Sequence, residues 1–191
     1  EAIGYTVPVF DNTFNQGKAN LKDISESNDN FGAAIQVGDF NNDDNYDLVI
    51  TAPNETTDSG WNEGTAHILY GFPSLETNEL LSRNNSEVNN GDNAGFGKSS
   101  SVGDFNGDGY DDLVIGVPYE DVNSETDAGA IQIFYGSSDG FPNFVTIHQD
   151  TPQIGGVAHE GDLFGASVAT GDINADGYDD VVVGAPQDYY W

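Results

Sequence analysis

Three segments of this chain lie on one another without a gap. They are FGAAIQVGDFNNDDNYDLVITAP at 31–53, FGKSSSVGDFNGDGYDDLVIGVP at 96–118 and FGASVATGDINADGYDDVVVGAP at 164–186. Their first residues, Phe31, Phe96 and Phe164, stand 65 and then 68 residues apart. A period of that length describes an array of supersecondary units, each too small to bury its own apolar face and each stacked on its neighbours. A β-solenoid would repeat at a much shorter period.

Each unit reads as β. Phe31, Ala33, Ile35 and Val37 alternate with the period of a strand. After an acidic loop come Leu48-Val49-Ile50, Leu113-Val114-Ile115 and Val181-Val182-Val183, unbroken apolar runs suited to a strand covered on both faces. A third strand is expected at 65–71 (TAHILYG) and 130–136 (AIQIFYG), and a fourth at 144–149 (FVTIHQ). The one short helical candidate is SLETNELL at 74–81.

The fold class that follows is all-β, with four-stranded antiparallel blades of a β-propeller. Phe-Gly at each repeat start, and Gly184-Ala185-Pro186 with its variants Thr51-Ala52-Pro53 and Gly116-Val117-Pro118 at each end, resemble FG-GAP repeats. Those form the blades of the integrin α-subunit propeller and of many bacterial surface proteins. The phase divides the chain into a half blade of outer strands at 1–30, complete blades at 31–95 and 96–163, and a half blade of inner strands at 164–191. Two complete and two half blades fall short of the ~4–8 that close a ring. The chain is thus expected to be an excerpt of a longer propeller, the alternative being a subunit whose split blades neighbouring copies complete.

The loops between the first two strands carry a second regularity. Asp39, Asn41, Asp43 and Asp47 recur as Asp104, Asn106, Asp108 and Asp112, and as Asp172, Asn174, Asp176 and Asp180. Side chains at positions 1, 3 and 5 of a tight loop converge. The carbonyl at position 7 (Asn45, Tyr110, Tyr178) and the carboxylate at position 9 can complete a shell. Hard oxygen donors without thiolate or imidazole select Ca2+, giving three expected sites of structural rather than catalytic character. The loop starts like an EF-hand but puts Ile50, Ile115 and Val183 where that motif has its glutamate. Gly109 and Gly177 at position 6 suit a left-handed turn, where the first loop has Asp44.

Composition narrows the partners. With 33 Asp and Glu against 4 Lys and Arg, the formal charge is −29, which excludes phosphate-neutralising nucleic-acid binding and disfavours anionic membranes. No stretch approaches a membrane span, so no membrane insertion is expected. No cysteine is present, so neither disulfides nor thiolate metal sites contribute. His67, His148 and His159 sit in unrelated contexts, and the chain has no nucleophile elbow, P-loop or HExxH stretch. The expectation is a non-enzyme. Asn54 and Asn84 head glycosylation sequons of a kind that arises by chance in an Asn-rich chain.

The resemblance implies a secreted or cell-surface module acting in adhesion or ligand recognition. Its protein or glycan ligand would meet the face opposite the metal loops, built from residues 54–63 and 119–128 and the connectors 82–95 and 150–163. Trp61 and Tyr119 are the aromatic candidates there. Alternatives are a non-catalytic propeller part of a secreted polysaccharide-acting or lipase-type enzyme, and a self-assembling subunit.

Overall fold

The computed structural model describes residues 21, 26–56, 63–71, 77–83 and 93–189. It contains two four-stranded antiparallel sheets and one two-stranded sheet. The first sheet runs β1 (Ile35–Gly38), β2 (Asp47–Ala52), β3 (Thr65–Tyr70), β4 (Thr77–Ser82) in spatial as in chain order. The second repeats it as β5 (Ser100–Gly103), β6 (Asp112–Val117), β7 (Ala130–Tyr135), β8 (Asn143–Ile147). The third pairs β9 (Ser167–Gly171) with β10 (Asp180–Gly184). The arrangement is that of a partial propeller with two blades and the inner half of another. Most of the expected half blade at 1–30 lies outside the described residues.

Register repeats from blade to blade. Gly38 faces Asp47, Gly103 faces Asp112 and Gly171 faces Asp180, so each acidic hairpin springs from the same rung. The opposite end of each blade carries the strand 2–3 loop and the connector entering the blade.

The apolar runs are covered on two sides because each blade is sandwiched. Leu113, Ile115 and Val117 pack with Val49, Ile68, Phe96 and Phe134 in the core between the two blades. Val114, between them in sequence, packs instead with Ile131, Ile133, Phe164, Val181 and Val183, toward β9 and β10. Val49, Val114 and Val182 hold the same repeat position; the first two are wholly buried, while Val182 is 50% exposed on the uncovered face of the third sheet. Burial at this position is therefore supplied by the next blade, not by the blade's own strands.

The motif residues make the joints. Gly97 and Gly165 have φ of 93° and 91°, open to glycine but not to β-branched residues. Gly97 N–H bonds Gly116 O (3.1 Å) and Gly116 N–H bonds Ser99 O (2.8 Å), closing one end of the blade. A side chain at Gly116 would strike the Gly165 carbonyl of the next sheet. The inner strands are stitched sideways by Gln36 Nε2 to Ser100 O (2.7 Å), Ser101 Oγ with Thr170 Oγ1 (2.8 Å) and Thr170 Oγ1 to Val102 O (2.6 Å).

Two local expectations change. Residues 77–81 of the helical candidate at 74–81 lie in β4, the remainder being outside the described residues; Leu81 enters the inter-blade core and Glu79 accepts the Tyr70 hydroxyl at 2.7 Å. An open edge on β3 outweighs a weak helical pattern. The strand expected from Phe31 begins only at Ile35, and Ile35 and Val37 are exposed rather than core. Among the described residues no helix is long and apolar enough to cross a membrane.

Candidate metal centres in the hairpin loops

The three loops wrap around their first aspartate in one way. In the second, Asp104 Oδ1 accepts the N–H groups of Gly107 (2.7 Å) and Asp108 (3.2 Å), and Oδ2 accepts Gly109 N–H (3.0 Å). Asn106 Nδ2 donates to Asp108 Oδ2 (2.9 Å), and Asp108 Oδ1 accepts Tyr110 N–H (3.0 Å). In the first, Asp39 takes the amides of Asp43 and Asp44 (both 3.0 Å), Asn41 Nδ2 donates to Asp43 Oδ2 (3.2 Å) and Asp43 takes Asn45 N–H (2.8 Å). In the third, Asp172 takes the amides of Asp176 and Gly177, and Asp176 that of Tyr178, each at 3.0 Å. Asn174 departs: its Nδ2 donates to Asp180 Oδ1 at 3.3 Å.

Positions 4 and 6 have left-handed backbone in every loop. Position 6 is Asp44, Gly109 and Gly177 at φ 66°, 87° and 92°, and position 4 is Asn42, Gly107 and Ala175 at 51°, 74° and 61°. Asp44 thus adopts the conformation its glycine counterparts have.

The ninth residue is the base of the hairpin. Asp112 is fully buried; its Oδ2 accepts Phe105 N–H and its Oδ1 accepts Gly136 N–H, both at 2.9 Å. Asp47 repeats this with Phe40 (3.0 Å) and Gly71 (2.8 Å). Asp180 takes Ile173 N–H at 2.9 Å. Burial pushes the Asp112 carboxyl up to about 6; Asp108 and Asp104 add to the rise and the Gly136 and Phe105 amides oppose it. Burial raises Asp47 likewise. Asp43, in solvent, is instead lowered, chiefly by the Asn45 amide.

One position of the loops escaped the spacing argument. Asp111 Oδ2 accepts Asp39 N–H (2.8 Å) and Asp111 N–H bonds Asp39 O (3.2 Å). Asp179 does the same to Asp104, at 3.1 and 3.0 Å. The eighth residue of the second and third loops therefore latches the preceding loop. Gly38 and Gly103 make room: a Cβ on Gly103 would lie 2.7 Å from Asp179 Oδ2. The doubled aspartates at 111–112 and 179–180 are the signal that could have disclosed the latch; the first loop has Tyr46 there.

The donor set fits a hard divalent cation. Each loop gathers two carboxylates and a carboxamide at its tip over a further carboxylate at its base, buried in Asp47 and Asp112 and half-buried in Asp180. The described Arg83 and Lys98 are engaged elsewhere, with Glu120 and Tyr119. The acids of one loop do not by themselves place three ligand atoms within 4.8 Å of one another. Among the described residues two such sets exist, Glu26 with Asp29 and Glu55, and His159 with Asp162 and Asp188, both at the ends of the blades away from the hairpins.

At those opposite ends, Arg83 is buried against Glu120 (3.0 Å) and Glu63 (3.7 Å), pinning the connector to the next blade. Tyr119 is half-buried with Lys98 Nζ 4.7 Å from its ring centre and 3.2 Å from its hydroxyl. Trp61 lies outside the described residues. His67 is buried edge-on against Phe31, with ring centres 5.5 Å apart. None of the histidines sits in a hairpin loop.

The FG-GAP repeat model matches residues 31–69, 96–134 and 164–190. Integrin alpha-PS5 of Drosophila melanogaster is 30% identical over 158 residues, covering 82% of this chain and 15% of that protein. Phosphatidylinositol-glycan-specific phospholipase D of Bos taurus is 33% identical over 165 residues, covering 81% and 18%. The chain thus spans less than a fifth of the length of these curated relatives. Among solved structures, a rhamnogalacturonan lyase of Bacillus licheniformis superposes with a TM-score of 0.51 over 79% of this chain and 28% of that one, at 14% identity, a likeness of fold alone.

Proposed function

Because the chain belongs to the FG-GAP repeat family of integrin-α-like propellers, we propose that it is a calcium-stiffened part of an extracellular binding module for adhesion or ligand recognition. Modules of this kind are structural and adhesive, not catalytic, and the chain is read as a non-enzyme.

The observation that carries the reading is the threefold recurrence of one amide cradle under one set of oxygens. The ligands would be Asp39, Asn41, Asp43, the Asn45 carbonyl and Asp47; Asp104, Asn106, Asp108, the Tyr110 carbonyl and Asp112; and Asp172, Asn174, Asp176, the Tyr178 carbonyl and Asp180. Bound Ca2+ supplies the positive charge that these loops lack. The chain's own residues do the rest: the first aspartate shapes the loop, the ninth ties it to the third strand in the complete blades, and in the second and third loops the eighth latches it to its neighbour. The opposite face, with Tyr119 and Trp61, would take a protein or glycan ligand.

A second reading has support in the phospholipase D relative: the same scaffold would serve as the non-catalytic propeller of a secreted enzyme acting on a polysaccharide or lipid. Calcium titration by calorimetry tests the common premise. Three Ca2+ per chain are expected, and two for Asp108→Ala. A wild-type chain that takes up no calcium at millimolar concentration would refute it.

A further inference from the structure

We propose that His159, Asp162 and Asp188 form a second kind of metal site, for a divalent cation of the zinc class, at the end of the third unit away from its hairpin loop. The site shares no residue with the calcium loops and stands whether or not they bind calcium.

The connector entering β9 supplies His159 and Asp162, and the segment leaving β10 supplies Asp188. One ligand atom from each lies within 4.8 Å of the other two. Asp162 is nearly inaccessible, its side chain 2% exposed, whereas that of His159 is 60% exposed. His159 Nδ1 stands 3.5 Å from Asp162 Oδ2. That is long for an N–H···O bond, but it matches the edge of a tetrahedral shell, about 3.4 Å for ligand bonds of about 2.1 Å. Among the described residues no lysine or arginine meets Asp162 or Asp188; Arg83 and Lys98 are occupied in the preceding blade joint.

Gln149 points to a ligand independently. It is 5% exposed, and its Nε2 donates to Asp188 Oδ2 at 3.3 Å, while its Oε1 is buried with no hydrogen-bond partner among the described residues. The two ends of a carboxamide are assigned from their hydrogen bonds. With a cation bound, the amide would turn over and set Oε1 beside Asp188 Oδ2, an oxygen–oxygen spacing natural for two ligands of one ion.

The repeat itself says what kind of partner belongs here. His159, Asp162 and Asp188 correspond, through the 65- and 68-residue periods, to Gly91, Ala94 and Glu120 in the middle unit. There Glu120, and with it Glu63, is answered by the Arg83 guanidinium at 3.0 and 3.7 Å. The counterpart of Arg83 is Lys18 in the first unit but Thr151 in the third. The third unit therefore keeps two carboxylates, Asp162 and Asp188, without the built-in cation, and has an imidazole in place of Gly91. An imidazole with carboxylates suits zinc-class ions, where the all-oxygen loops suit calcium.

The test is calorimetric titration of the full chain with Zn2+ alone, in buffer already saturated with calcium. One saturable site is expected, weakened at least tenfold by His159→Ala, whose exposed side chain can be removed without disturbing the core, and by Asp162→Asn, which keeps the acceptor for His159 N–H (2.8 Å). Zinc should shift the imidazole nitrogen resonances of His159 in the wild-type chain. No saturable heat, equal affinity in both variants, or shifts confined to His67 or His148 would each overturn the assignment.

Discussion

Replacing Asp112 by alanine separates a carboxylate that merely fills a hairpin from one that couples the hairpin to an ion. In the structure it accepts two amides, Phe105 N–H and Gly136 N–H, each at 2.9 Å. The first closes the loop and the second ties it to the end of β7. Orphaning a buried donor costs about 1–3 kcal/mol, so the two together cost about 2–6 kcal/mol. In metal-free protein the low end applies, because burial already disfavours the Asp112 charge and the substitution removes that penalty as well. With Ca2+ at a hundred times its dissociation constant, a bound ion adds about 2.7 kcal/mol of linked stability, and losing the ninth ligand forfeits most of it. Urea unfolding of wild type and Asp112→Ala, each in excess chelator and in excess calcium at pH 7.5, gives the four free energies needed. The loss in calcium should exceed the loss in chelator by about 2–3 kcal/mol. Equal losses would show Asp112 to be uncoupled from any ion, and losses under about 1 kcal/mol in both buffers would refute the two-amide account.

Acidity should act on the metal-free chain through the same residue. Its folded-state pKa, raised from 3.8 to about 6, makes this group's contribution greatest below about pH 4 and lost as pH rises through 6; thermal melting in chelator should fall across that window, and Asp112→Asn should flatten the fall. Asp179→Ala breaks the latch onto Asp104 and should cost about 1–2 kcal/mol, at the lower range for a charged acceptor because the site is partly solvated, read as a lower urea midpoint. Gly116→Ala drives a methyl into the Gly165 carbonyl; a loss of about 2–3 kcal/mol is expected from overpacking, with hydrogen exchange rising first in β9 and β10. An unchanged exchange pattern there would show that the joint yields without cost.

The sequence disclosed what depends on one unit and hid what depends on two. Three copies of a 23-residue core set the strands, the hairpin ends and the loop spacing, because local alternation and the oxygen pattern are written within each copy. The latch was hidden because Asp111 and Asp179 act on the preceding loop, and neither follows the odd-numbered spacing that marks inward-facing ligands. β4 was hidden because TNELLS is a strand only where β3 offers an edge and the next blade offers a face for Leu81. Left-handed Ala175 could not be read from its residue type, since alanine gives no hint of the turn that Gly107 makes plain. Val49, Val114 and Val182 show the rule most directly: one residue type, one repeat position, and an exposure decided by whether another blade follows. It follows that a polar substitution at Val182 should be tolerated by the isolated chain, within about 0.5 kcal/mol as for an ordinary surface change. The same change at Val114 should cost several kcal/mol by burying an unsatisfied group. Val182→Thr and Val114→Thr, compared by urea unfolding, measure that difference; equal costs would mean that the blades do not bury one another in solution.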